Sequence, residues 1–230
     1  MENLPKNNRK HLIKSAHCTK GFKTLVALGM LIFIAANTFA GIFTVTNLND
    51  SGDGSLRWAI EQTNASAGPH TINFSVSGTI APASPLPGLS SDYTVIDASS
   101  QWQGTWPDGS PGIVIDGAAL TAGNSGILIS ASYCEIRGLH IKNVNKLQMG
   151  NGIFIPDYNT NNVIGGTGEG MRNVITGNYR GIEIWGNNNT VIGNYVGVDD
   201  TGMAAAANEY AGVAISGDDN TIGGNTLGER

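Results

Sequence analysis

The sequence is poor in charge and poor in cysteine. Only 13% of its 230 residues are Asp, Glu, Lys or Arg, about half the share of an ordinary soluble domain, so networks of surface ion pairs do not hold this chain together. It has two cysteines, Cys18 and Cys134. Only Cys134 lies beyond the N-terminal stretch described next, which excludes an intramolecular disulfide there. No His/Cys cluster with metal-ligand spacing occurs, and His140 is solitary. The longest apolar run, Leu25 to Ala36, has twelve residues, short of the roughly 20 that a membrane-spanning helix needs.

That run has a specific setting. Lys6, Arg9, Lys10, Lys14, Lys20 and Lys23 precede it, and Thr38-Phe39-Ala40 ends on a small residue before Gly41. This is the plan of a secretory signal, with cleavage expected after Ala40. Residues 1–40 are therefore read as a signal peptide. The rest is read as exported, extracellular or on the outer cell surface, with no transmembrane segment. Beyond Ala40 the chain has seven basic and 17 acidic residues, a formal −10, which repels nucleic acid.

What is present is glycine. Thirty of the 32 lie beyond the signal, about twice the usual density, and short Val/Ile-rich runs alternate with them as strands alternate with turns. A repeat organises both. Gly-[Ile/Val]-x-Ile occurs at Gly126, Gly152, Gly181 and Gly212, and a second element, "CEIRG", "NVIGG", "NTVIG" and "NTIGG", follows each after 8 to 10 residues. Both elements alternate apolar with variable positions, the period of a strand. "LHIKNV", "NVITGN" and "YVGV" supply a third strand. Three short strands per repeat of about 30 residues, stacked copy on copy, make a three-sided coil of parallel strands around a continuous apolar interior.

At these residues the chain resembles the right-handed parallel β-helix proteins of the pectate-lyase-like group. "NVIGGTGEGMRNVITGN" and "NTVIGNYVGVDDTGMAAAANEYAGVAI" are similar to repeats of large exported bacterial β-helix proteins. "TVTNLNDSGDGSLRWAIEQTNA" (44–65) reads as a strand, a turn and a short amphipathic helix with Ser55 as N-cap. It resembles the CSLREA module, matching Ser55, Leu56, Arg57 and Ala59 but with Gly54 and Trp58 in place of its Cys and Glu. Physically, such a helix would cover the open end of the coil. The expected class is thus all-β: a right-handed three-sided parallel β-helix with a short N-terminal capping helix. Its expected parts are 1–40 (signal), 41–70 (strand and capping helix) and 71–230 (β-helix).

The candidate sites are few. "GGTGEG" lacks the Gly-Lys-[Ser/Thr] of a phosphate loop, so no nucleotide is expected, and its glycines read as a turn. Asn162, Asn189 and Asn220 hold equivalent positions and are expected to form a ladder of amides. A lyase of the resembled group would imply clustered carboxylates holding calcium and a Lys or Arg base. The outward columns Leu128, Phe154, Glu183, Ala214 and Glu135, Val163, Thr190, Thr221 each carry one acid, so neither reads as a catalytic groove. No metal and no cofactor is expected, calcium only if the protein were a lyase. The remaining catalytic candidates are His140, Lys142, Asp199 and Asp200, with "VDDTG" reading first as a turn. Trp102, Trp106 and Tyr195 are candidates for stacking on sugar rings.

The favoured function is an adhesin-like or glycan-binding scaffold that meets an extracellular polysaccharide or another cell surface. The alternative is a polysaccharide lyase or glycoside hydrolase. Gly224–Arg230 aligns with Gly166–Arg172, so the chain is expected to stop mid-repeat, either as an N-terminal portion of something longer that could hold catalytic rungs or through a prematurely ended reading frame.

Overall fold

The computed structural model describes residues 40–105, 109–121, 123–144, 149–226 and 229. The signal stretch, Trp106 and Arg230 lie outside them. Sixteen strands of two to five residues and one α-helix are present among the described residues, and the strands wind into a three-sided parallel β-helix, as the repeat predicts.

After β1 (Gly41–Val45) and α1 (Leu56–Asn64), each coil visits three sheets in turn. The first coil has β2 (His70–Phe74) and β3 (Gly78–Ile80), and its third side is marked by Leu89, bridged to Ile129. The second has β4 (Thr94–Asp97), β5 (Ile113–Asp116) and β6 (Ser125–Leu128), and the third β7 (Glu135–Arg137), β8 (Leu139–Lys142) and β9 (Asn151–Ile155). The fourth has β10 (Val163–Gly165), β11 (Val174–Thr176) and β12 (Arg180–Ile184); the fifth has β13 (Thr190–Ile192), β14 (Tyr195–Val196) and β15 (Ala211–Ile215), and β16 (Thr221–Ile222) begins a sixth. The sheets run β1-β2-β4-β7-β10-β13-β16, β3-β5-β8-β11-β14 and β6-β9-β12-β15. Every pair of neighbouring strands in these sheets is parallel, and strand twist favours right-handed winding for such crossovers.

Register stacks like on like. In the first sheet Ile72, Ile96, Ile136, Ile164, Val191 and Ile222 face one another in succession. In the second Ile80, Ile115, Ile141, Ile175 and Val196 do so, and in the third Ile127, Ile153, Ile182 and Val213. Most of these side chains are fully buried, each contributing about 1.5–3 kcal/mol by leaving water. With no disulfide available, these columns and the ladders hold the fold.

The corners are closed by asparagine. Where the third sheet passes to the first, Asn162 Oδ1 accepts from the Cys134 N–H, Asn189 Oδ1 from the Asn162 N–H and Asn220 Oδ1 from the Asn189 N–H, at 2.8–2.9 Å. Between first and second sheets Asn173 and Asn194 act likewise, and between second and third Asn178 and Asn208. Each amide oxygen satisfies the buried N–H one coil below, a need that only a short acceptor side chain at a bend can meet. Cys134 is free and buried, and burial pushes its thiol up to about 11, so it behaves as a small hydrophobe.

The helix fits the first coil through its side chains. Ser55 caps it by accepting from the Trp58 N–H, and Leu56, Ala59 and Ile60 are buried in the common core. Arg57 donates to the carbonyls of Ser84 and Pro85, while Asn64 donates to the Gly88 carbonyl and accepts from the Ser90 N–H. Backbone groups along the first coil's third side, which have no preceding strand to pair with, are thus satisfied by helix side chains.

Candidate functional site

The outer face of the third sheet carries a cluster of aromatic and charged groups. Strand alternation sends Ile153, Ile155, Ile182 and Ile184 inward and Phe154 and Glu183, which are in register, outward. Glu183 is held by three donors: Asn151 Nδ2 at 2.8 Å, Trp185 Nε1 at 3.3 Å and Arg180 Nε at 3.6 Å. The Trp185 ring meets Phe154 edge-on, with centroids 4.9 Å apart. On the other side the Arg180 guanidinium lies 5.0 Å and 4.8 Å from the centroids of Tyr179 and Tyr210, which are themselves stacked at 5.3 Å. Asn151 Oδ1 is buried here with no hydrogen-bond partner.

The arrangement is pre-organised. Glu183 and Arg180 balance each other's charge, their side chains are mostly buried, and both sit on a rigid sheet. Beside them Asp157, Tyr158, Thr160, Trp185 and Asn187 line an open cavity of about 460 Å³. Aromatic faces next to fixed hydrogen-bonding groups suit a hydroxyl-rich ring, whose C–H face stacks while its edge bonds.

The sequence candidates fall on the second sheet and its corners. His140 and Lys142 point outward from β8. His140 Nε2 is 3.1 Å from Thr176 Oγ1, and Lys142 Nζ is 3.8 Å from Asp116 Oδ2. Burial holds His140 below its ordinary value, helped by Lys142 and opposed by Asp200 and Asp116. Tyr195 shares the His140 column but lies two strands away, with Val174 between, so the two stand about 10 Å apart. Its ring is covered by Arg172, 3.9 Å above.

Asp199 turns into its own loop: Oδ1 accepts from Thr201 Oγ1 at 2.7 Å and from the N–H groups of Met203 and Ala204. The Thr201 hydroxyl, with these amides, holds its carboxyl below the usual range. Asp200 follows it and reaches His140 only through its charge. Trp102 lies at a different corner, between β4 and β5, beside the Gln103–Ser110 bridge. The structure brings His140, Lys142, Asp116 and Thr176 together, but neither Trp102 nor Asp199 joins them. Among the described residues no three His, Cys, Asp or Glu side chains are grouped to hold a metal ion, and no helix is long and apolar enough to cross a membrane.

Fold and surface together define a parallel β-helix whose third sheet presents an aromatic and charged face. The chain belongs to the family described as "Protein of unknown function (DUF1565)", whose model matches residues 92–229, from the corner before β4 to the end of the described coils. A search of curated proteins finds no match.

Proposed function

We propose that the protein is an exported or cell-surface β-helix scaffold that binds glycan through the outer face of its third sheet. One observation carries the reading: Glu183, Arg180 and Trp185 are locked in place by Asn151, Phe154 and the Tyr179–Tyr210 pair. A group of this size that is already ordered loses little entropy on binding, and its aromatic surface is of the kind that sugars cover. Arg180 is neutralised by Glu183 and the chain beyond Ala40 is acidic, which favours a neutral glycan over a uronate.

Purified protein applied to an array of neutral and uronic-acid polysaccharides tests this. Retention on neutral glycans, reduced in Trp185→Ala and in Arg180→Ala, is the expected result; equal retention by all three proteins contradicts it. The second reading, a polysaccharide lyase or hydrolase, draws on His140, Lys142 and Asp116 on the second sheet. During incubation with pectin or alginate and calcium, absorbance from unsaturated uronates would establish the lyase, and release of reducing ends without that absorbance would establish the hydrolase.

A further inference from the structure

Five corners lead from the third sheet back to the first: 90–93, 130–133, 156–161, 185–188 and 216–219. Each contains a residue in the left-handed region, in order Tyr93, Tyr133, Asn161, Asn188 and Asp219, at φ 56–60°. A tyrosine in that conformation is uncommon, and here two occur in succession, with their rings stacked 4.8 Å apart and 9° from parallel.

The exposed aromatics follow the same edge. Among the described residues, Tyr93 (51%), Tyr133 (47%), Tyr158 (96%), Trp185 (41%) and Tyr210 are the aromatic side chains exposed to solvent. Four of the five fall one to each of four successive corners. Two cavities bound the row. One is the 460 Å³ cavity beside Trp185 and Tyr158. The other, of about 610 Å³, lies where the chain leaving α1 meets the corner before β4, and Ser66, Gly68, Ser90, Asp92 and Tyr93 help to line it. The tyrosine row stops at that point, where Pro69 stands in register with Tyr93. One face of Tyr93 is against Tyr133, and the residue also helps to line the cavity. The two cavities are three coils apart, roughly 14 Å at about 4.8 Å per coil.

We infer that this edge is a single binding track for a linear, neutral oligosaccharide lying along the coil axis, with Tyr93, Tyr133, Tyr158 and Trp185 as successive stacking platforms. The inference rests on the glycan-binding reading above and extends it from one face to an extended site. A compact ligand would need one cavity; a row with a cavity at each end fits a chain of several linked rings. Charge selects the class. None of the five corners contains Lys, Arg or His, whereas Asp92, Asp157, Asp218 and Asp219 all lie in them, so a polyanion would meet only like charge.

The test is calorimetric titration of the purified protein with neutral oligosaccharides of one to six units from the cello-, xylo- and malto- series. Affinity should climb with chain length over about the first four units and then level. Tyr93→Asn keeps the residue type that Asn161 and Asn188 already hold at this φ, so the fold should be retained, as an unchanged melting temperature would show. It should weaken the longest ligands about tenfold, near 1.4 kcal/mol, while short ligands held at Trp185 are unaffected. Binding that is independent of length, or insensitive to Tyr93→Asn, overturns the track and leaves the glycan-binding reading standing. No binding by any neutral saccharide overturns both.

Discussion

Asn189 Oδ1 accepts two hydrogen bonds from Asn162, one from its backbone N–H at 2.9 Å and one from its side-chain amide at 3.0 Å. Asn162 and Asn189 are both fully buried, so no water can replace that oxygen. Asn189→Ala should therefore orphan two donors and cost about 3 kcal/mol, lowering the melting temperature by roughly 8 °C. Asn220→Ala removes two bonds at a part-exposed corner, one accepted from the Asn189 N–H and one donated to the Gly186 carbonyl, where water can take their place, and should cost about 1 kcal/mol. Thermal unfolding followed by circular dichroism checks the ranking; equal effects would contradict it.

Glycine at a bend is required for two separable reasons, conformation and contact. Gly165 has φ +90° and a Cβ there would strike the Ile192 carbonyl, whereas Gly52, at φ +92°, has open space around it. Gly52→Ala should cost about 1 kcal/mol through backbone strain alone. Gly165→Ala should cost about 3 kcal/mol, because the coil above must also move. Denaturant titration of the two variants measures the difference directly.

Arg57 donates five hydrogen bonds, three that tie the helix to Ser84 and Pro85 of the first coil and two to Asp50 in the loop before the helix. Replacing it with methionine keeps much of the packing volume and removes the donors, for a loss of about 2 kcal/mol. Hydrogen exchange should locate the damage in β1, β2 and the 84–90 segment, with β12 and β15 unchanged. Uniform loss of protection would contradict a local role.

Much of the coil was legible in the sequence because stacking repeats the same demand at every turn. An inward Ile or Val must recur where Ile127, Ile153, Ile182 and Val213 stand, so the period shows. The corner asparagines Asn173, Asn178, Asn194 and Asn208 do not stand out in the sequence, although "NVITGN" in the fourth coil has one at each end. Loops of unequal length, above all 197–207 between Val196 and Asn208, hide their equivalence. The aromatic edge is hidden for the same reason. Tyr93, Tyr133, Tyr158 and Trp185 are separated by 40, 25 and 27 residues, and only the winding brings them into one row. Glu183 is a lone acid in its column; its partners Arg180, Asn151 and Trp185 come from neighbouring positions and strands that a single column does not show.

His140 gives the fold a pH dependence. Its ordinary value is 6.5, and burial, with the nearby Lys142 charge, lowers it in the folded protein against the opposing Asp200 and Asp116. The unfolded chain then binds the proton more readily, so this contribution is complete above about pH 6.5 and is lost progressively as pH falls below that value. His140→Gln should flatten the stability profile below about pH 6.5. A profile that keeps its slope in the variant would place the sensitivity elsewhere.

The central claim is that the locked face around Trp185 binds neutral glycan. The most direct measurement is intrinsic tryptophan fluorescence while neutral oligosaccharide is titrated into the purified protein, with Trp185→Phe alongside. Trp185 is partly exposed, edge-on to Phe154 and bonded to Glu183, so a sugar covering it should change its emission saturably. The account predicts a saturable change in the native protein that disappears in Trp185→Phe. A native protein whose emission does not respond to any neutral saccharide, or a response that survives the substitution, would contradict it.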